Sequence, residues 1–357
     1  MKYLCFSHCS MLGGAELAFV ELVKCLSKKD EVVVSVPNLV ARLKDIGIQD
    51  LIANEYSLWM QQEFALKRKV KCFFRILQAI KECVKMLKKE RPDMVVVNTI
   101  ASPVPLIASK LLRIPSVIYI HENGGFGVFD FVFPEKCIFR LLGKLSTKLI
   151  CNSQYTYDIY SKYVNPYKLT VIYQPIEIYP ILPKTHQGYV VGSVGITSTQ
   201  KNFQLLMDAM RTIPDMQLKI AGFHNNEYGA YLKEYATKIG LGDRVEWLGV
   251  IDDMPDFYSR IDVLVACGKH EALGRSVVEA MKCRVPVIAM RDGGYIELIG
   301  NNERGWLFEK DNVEDLRSNI LKSKANEWSK ILNKAEQHAN IVFSRETFSK
   351  EIDKLVN

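Results

Sequence analysis

The 357-residue chain is 48% hydrophobic and 24% charged, a globular balance that excludes a disordered or fibrous protein, and its length suits two domains rather than one core. It has no run of about 18 apolar residues, which excludes an ordinary membrane-spanning helix, and its first residues, MKYLCFSHCSMLGG, lack the apolar core and cleavage site of a secretory leader. The formal net charge of +7 comes from one segment: ten basic residues stand against three acidic ones between Gln61 and Arg91, and the rest of the chain is balanced.

Short β-branched runs alternate with longer amphipathic stretches. Strands are predicted at 2–7, 31–36, 94–98, 116–121, 148–151 and 170–172, with helices at 15–27, 101–112 and 153–163. Runs such as MVVVN suit strands covered on both faces of a parallel sheet. Residues 173–188 hold Pro175, Pro180 and Pro183 without any period, and read as a linker. The alternation then resumes with strands at 189–195, 217–221, 244–248, 262–266, 286–289 and 305–308. Helices are predicted at 202–211, 227–239 and 274–283. The pattern predicts an α/β protein of two doubly wound, Rossmann-like domains, residues 1–175 and 185–342. Such sheets bind ligands beyond the carboxyl ends of their strands. Two of them face to face would make a cleft, so residues just after strands are the candidates.

The run from Ser10 to Glu16 follows the first strand. Its Gly13 and Gly14 serve either a tight turn or a close approach of backbone to an anion at a helix start. The run is not a G-x-G-x-x-G fingerprint. His121-Glu122-Asn123-Gly124-Gly125 follows the strand ending near residue 120. A histidine there is either structural or a partner for substrate hydroxyls and their protons. Gly195 to Asn202 follows the first strand of the second domain. Lys201 is either a solvated lysine or, near a helix N-terminus, a phosphate ligand; the Walker spacing is absent.

The most informative segment is HEALGRSVVE, His270 to Glu279. Glu271 falls in a loop and Glu279 in the helix that follows, eight residues on, so they need not share a face and can read opposite ends of one extended ligand. Amides at the helix start between them suit a diphosphate, and carboxylates suit the diols of a sugar or ribose. The plain alternative for Glu279 is a helix-surface residue.

Two further features complete the reading. The nine cysteines are scattered, with no zinc spacing, and read as buried, reduced thiols of a cytoplasmic protein. In the basic helix at 66–90, Val70, Phe73, Leu77, Ile80, Val84 and Leu87 form one apolar stripe. Lys67, Arg68, Lys71 and Arg75 are among the basic residues around it. The helix is either core-packed with a solvated basic face or docked on anionic lipid, where each basic residue contributes on the order of 1 kcal/mol. No nucleic-acid module accompanies it, and no nucleic-acid partner is expected.

In order and spacing, these motifs resemble the family 4 retaining glycosyltransferases of GT-B fold over nearly the whole chain. The matches are Gly13-Gly14, His121, Lys201 and the E-x7-E element Glu271/Glu279, with Glu279-Ala280-Met281 leading to Pro286-Val287-Ile288. Gly293-Gly294 with Glu297 and Ile299, and then Gly305-Trp306-Leu307-Phe308, complete the series. The resemblance implies two Rossmann-like domains facing across a cleft, with residues 343–357 crossing back to the first. It implies transfer from a UDP- or GDP-type sugar to a hydroxyl of a glycan or lipid-linked glycan, with retention and without metal or other cofactor. Glu279 would hold the ribose and Glu271 the sugar hydroxyls. Lys201, with Leu273, Gly274, Arg275 and Ser276, would hold the diphosphate, a charge stabilisation of the main catalytic kind. Gly13, Gly14 and Gly195 would line the donor site, and His121 would contact the donor sugar. The basic helix would bring the enzyme to the inner face of a membrane.

Two positions depart from the family pattern. Ile196 stands where the family usually has Arg, so one phosphate-binding cation is missing and Arg275 becomes its candidate substitute. Cys267-Gly268 replaces Pro-Ser. The missing cation keeps open a scaffold without turnover. A GT-B nucleotide-sugar epimerase is the other alternative, though no added acid/base set is evident for it.

Overall fold

The computed structural model describes residues 1–8, 13–37, 51–53, 60–61, 66–124, 130–178 and 182–356, and the side chains of all these except 53, 60, 61, 66–70, 130 and 356. The chain divides into two compact units, Met1–Pro175 with Phe348–Asn357, and Ile176–Thr347.

In the first unit the elements run β1 (Lys2–Phe6), α1 (Gly14–Leu26), β2 (Glu31–Val36), β3 (Leu51–Ala53), β4 (Met60–Gln61), α2 (Leu66–Glu90), β5 (Met94–Asn98) and α3 (Val104–Leu111). They continue with β6 (Ser116–Ile120), β7 (Asp130–Phe131), α4 (Glu135–Leu145), β8 (Lys148–Cys151), α5 (Gln154–Tyr160) and β9 (Leu169–Val171). The main sheet has the order β3-β2-β1-β5-β6-β8-β9 and is parallel throughout. Its strands alternate between two cores. Tyr3, Cys5, Val34, Val96 and Tyr119 pack with α1 on one face. Leu4, Phe6, Val95, Val97 and Ile118 pack with α2, α3 and α4 on the other.

In the second unit come β10 (Tyr189–Val194), α6 (Phe203–Met210), β11 (Met216–Ala221), α7 (Glu227–Lys238), β12 (Val245–Gly249), α8 (Met254–Ser259) and β13 (Val263–Ala266). They are followed by α9 (Arg275–Lys282), β14 (Val287–Met290), α10 (Tyr295–Ile299), β15 (Trp306–Phe308), α11 (Val313–Ala325) and α12 (Ser329–Val342), and the last helix, α13 (Arg345–Val356), belongs from Phe348 onward to the first unit. The parallel sheet has the order β12-β11-β10-β13-β14-β15. Phe348 and Ile352 of α13 belong to the α1 side of the first unit's core. There Ser349 Oγ lies 3.0 Å from Cys25 Sγ, and Lys29 pairs with Asp353 at 2.7 Å.

Four expectations need correction. The buried face of α2 is Cys72, Ile76, Cys83 and Leu87, whereas Phe73 and Leu77 are 42% and 43% exposed. Ile80, Val84 and Leu87 of the expected stripe do pack against this core, so the stripe is rotated by about one position only in its earlier part, where Cys72 and Ile76 take the packing face; the Val70 side chain lies outside the described residues. Helix α3 starts at Val104, not 101: Pro103 is its N-cap, and a residue before proline is held out of the α region. The residues read as a linker are in part core, since Ile176 and Ile178 are buried and the Ile176 N–H donates to the Phe343 carbonyl at 3.1 Å. Among the described cysteines, all are free, but Cys137 is exposed and Cys25 half-buried; Cys9 lies outside the described residues.

Candidate active site

In an open parallel sheet the ligand crevice lies where the strand order reverses. In the second unit that point falls between β10 and β13, which are neighbours while their chain continuations run to opposite edges. The loops after these two strands carry Lys201 and Glu271. Lys201 Nζ donates to Glu271 Oε2 at 2.6 Å, and both side chains keep part of their surface open. The loops are joined a second time by Lys269 N–H to the Gln200 carbonyl at 2.8 Å. Lys201 folds across Gly195, whose φ is +155° and where a Cβ would stand 3.0 Å from Lys201 Cδ. The Gly195 N–H donates to the Ala221 carbonyl at 2.9 Å.

Glu271 leads through Ala272 and Leu273 into Gly274, the N-cap of α9. Gly274 has φ +96° and a Tyr295 ring carbon 2.7 Å from where a Cβ would be, so a larger residue would be strained and crowded there. No side chain caps α9. The first amides of a helix lack intrahelical acceptors, so the start of α9 at Arg275 and Ser276 is a donor-rich, electropositive end. The Gly294 N–H holds this loop from below through the Glu271 carbonyl at 2.8 Å.

Glu279 is not a helix-surface residue: it is 8% exposed. Arg275 Nε donates to its Oε1 at 2.8 Å, one turn earlier on the same helix. The Tyr258 hydroxyl lies 3.1 Å from its Oε2. Burial raises the Glu279 carboxyl above the ordinary range, opposed by the Arg275 charge and by the Tyr258 and Arg275 hydrogen bonds. Arg275 is therefore committed to Glu279 in this structure rather than standing free as a second phosphate cation. Ile196 is 60% exposed, and the Ser198 carbonyl and hydroxyl accept from the Lys201 N–H at 3.1 and 3.3 Å.

In the first unit the corresponding reversal lies between β1 and β5. Gly13 is the N-cap of α1, with its N–H on Glu16 Oε2 at 3.2 Å, and Gly14 begins the helix. Ser10 to Leu12 and Gly125 lie outside the described residues. His121 follows β6, its ring 4.2 Å from that of Tyr119 and its Nε2 3.0 Å from Asn98 Oδ1. The Asn98 amide nitrogen is 3.4 Å from the Ala15 carbonyl, which can only accept. Asn98 Oδ1 must therefore be the acceptor toward His121, which places the proton on Nε2 and leaves Nδ1 as an acceptor. Burial, with His8 nearby, lowers His121 to about 3, so the ring is neutral. Glu122 Oε2 accepts from the amides of Ile100 and His121 at 3.3 and 3.2 Å, yet burial pushes its carboxyl up to about 7. Tyr258, Asn98 and Glu122 received no role from the sequence. Only Glu122 carried a signal, its place beside His121.

Residues 12–178 match the model of the family described as Glycosyltransferase Family 4, and residues 177–341 match that of Glycosyl transferases group 1. The chain belongs to the family 4 glycosyltransferases. This glycosyltransferase is 26% identical over 302 residues to an uncharacterised glycosyltransferase of Methanocaldococcus jannaschii, covering 82% of this chain and 84% of that one. It is 27% identical over 269 residues to the UDP-Gal:alpha-D-GlcNAc-diphosphoundecaprenol alpha-1,3-galactosyltransferase of Escherichia coli, covering 67% and 68%. Anabaena HepE, solved in complex with UDP and glucose, matches with a TM-score of 0.81 at 22% identity, covering 100% of this chain and 99% of that one. Sucrose-phosphate synthase from Thermosynechococcus elongatus matches with a TM-score of 0.81 at 18% identity, covering 99% and 98%. These two likenesses are of fold: the glycosyltransferase has the two parallel-sheet, Rossmann-like domains of GT-B proteins. Among its described residues no group of three or more His, Cys, Asp or Glu side chains could hold a metal ion, and no helix is long and apolar enough to cross a membrane.

Proposed function

We propose that this glycosyltransferase moves a hexosyl group from a UDP-type sugar to a hydroxyl of a lipid-linked glycan in surface polysaccharide synthesis, with retention at the anomeric carbon. The observation that carries the reading is the Lys201–Glu271 pair at the strand-order reversal, followed at once by the uncapped start of α9. In this reading Lys201 and the amides from Leu273 to Ser276 neutralise the diphosphate in place of a divalent ion. Glu271 takes donor-sugar hydroxyls, Glu279 takes the ribose diol, and His121 accepts a sugar hydroxyl through Nδ1. The bond from the anomeric carbon to the diphosphate oxygen breaks, and a bond to the acceptor oxygen forms on the same face. The acceptor's proton ends on the departing diphosphate.

The test is incubation with UDP-glucose, UDP-galactose, their N-acetyl forms and GDP-mannose, with and without a polyprenyl-diphosphate-linked N-acetylglucosamine. The expected result is UDP release, acceptor-dependent labelled product, an anomeric configuration matching the donor, and no loss of rate in EDTA. An epimerised donor without acceptor would make the protein an epimerase. Binding of nucleotide without release would make it a scaffold. Either result overturns the proposal.

The first unit adds a second reading, of place. Phe73, Phe74, Leu77 and Phe133 are 42%, 64%, 43% and 43% exposed, and the Phe73 ring meets Phe74 and Phe133 edge-on at 5.9 and 6.4 Å. Lys71 and Arg75 are exposed beside them; the side chains of Lys67 and Arg68 lie outside the described residues. Exposed aromatics ringed by cations suit the headgroup boundary of an anionic bilayer. We assign the enzyme to the inner membrane surface on this basis.

A further inference from the structure

Tyr258 sits in α8 and belongs to none of the sequence motifs. Its ring is buried, and its hydroxyl meets two groups of α9: Glu279 Oε2 at 3.1 Å and the Ser276 carbonyl at 3.0 Å. Arg275 holds the other carboxylate oxygen. An ionised carboxylate offers about four lone-pair sites. These two bonds use one on each oxygen and leave one on each, which in the ribose reading would accept from two vicinal hydroxyls.

We propose that Tyr258 is a positioning residue for nucleoside recognition. Its phenol fixes the rotamer of Glu279 and ties that carboxylate to the first turn of α9. The separation between the ribose-reading oxygens and the diphosphate-reading amides is then set before the donor arrives. This rests on the reading of Glu279 as the ribose ligand. The physical case is preorganisation. A glutamate has three rotatable bonds, and ordering a rotamer-rich side chain on binding costs affinity unless the fold has already ordered it. Arg275 also holds the carboxylate to the first turn of α9, but through a long side chain with many rotamers of its own, so it constrains Glu279 less than a buried ring does. Tyr258 comes from a separate element, and its one hydrogen bridges helix backbone and carboxylate together.

Tyr258→Phe tests the idea, because it fills the same volume and removes only the hydroxyl. Folding is checked by the melting temperature without ligand. UDP and 2′,3′-dideoxy-UDP are titrated calorimetrically into the wild type, Tyr258→Phe, Glu279→Gln and the double variant. The wild type should prefer UDP by roughly tenfold or more, the worth of hydrogen bonds to a charged group. Glu279→Gln and Tyr258→Phe should each bring that preference within about threefold. The double variant should lose no more than either single, since both act through one carboxylate. Full preference in Tyr258→Phe beside a collapsed one in Glu279→Gln overturns the role of Tyr258 and leaves the ribose reading standing. Full preference in Glu279→Gln overturns the ribose reading, and the proposal with it. If UDP does not bind, the GDP pair takes its place, and binding of neither overturns the donor reading itself.

Discussion

Lys201 and Glu271 stand 2.6 Å apart although 70 positions separate them, each carried by a loop that follows one of the two strands where the second sheet reverses its order. The pair holds a lysine and a carboxylate at one point before any donor binds. Under the proposed function, a diphosphate arriving there would take over the lysine and free Glu271 to accept from sugar hydroxyls. Lys201→Ala should therefore lower the transfer rate by about 10²–10³-fold, as loss of a transition-state charge partner does. The part-exposed pair should contribute less than about 1 kcal/mol to stability. Initial rates and melting temperatures measured on the same variant check both halves.

Arg275 is the next case. It holds Glu279 Oε1 at 2.8 Å, and Glu279 is buried. Arg275→Ala should leave that carboxylate without its cation and cost the fold about 1–3 kcal/mol. UDP affinity should fall roughly tenfold or more. Denaturant unfolding and UDP titration measure these. Values near wild type in both would remove Arg275 from the donor site.

Glu122 gives a pH test. Burial raises its carboxyl from 4.5 to about 7 in the fold, so its contribution to stability is complete below pH 4.5 and is lost as pH rises through 7. His121, lowered from 6.5 to about 3, runs the other way: its contribution is complete above pH 6.5 and is lost as pH falls toward 3. Glu122→Gln is neutral at every pH and isolates the first effect. It should gain on the wild type by roughly 1–3 kcal/mol between pH 5 and pH 8. A difference that stays flat with pH in chemical denaturation would contradict this environment for Glu122.

Membrane docking predicts a separation of variables. Phe73 and Phe74 are exposed, so Phe73→Ser and Phe74→Ser should leave the melting temperature within about 0.5 kcal/mol of wild type in stability terms. Flotation with phosphatidylserine-containing vesicles should be lost, and wild-type flotation should weaken with salt. Flotation unchanged in the double variant would end the aromatic assignment.

Much of the fold was legible because buried parallel strands leave β-branched runs. The strands at Glu31–Val36, Met94–Asn98 and Lys148–Cys151 were readable to the residue. Other elements left no such trace. Tyr295–Ile299 is only five residues long, too short to show a helical period. Leu51–Ala53 is a three-residue edge strand. In Leu66–Glu90 the small Cys72 and Cys83 are buried while the larger, more apolar Phe73 and Phe74 are exposed, so hydrophobic size points to the wrong face of the helix. At the site, Lys201, Glu271, Arg275 and Glu279 stood out through spacing and resemblance, but their pairing did not. Contacts across 70 positions, or across the 21 between Tyr258 and Glu279, depend on how strands are ordered, which periodicity does not encode.

In the proposed function, the loops after β10 and β13 and the start of α9 grip a nucleoside diphosphate. Calorimetric titration of UDP into the wild type, Lys201→Ala and Glu279→Gln tests it most directly. One site per chain is expected in the wild type, with affinity reduced roughly tenfold or more in each variant, from loss of a hydrogen bond to a charged group. Equal affinity in all three proteins would contradict it.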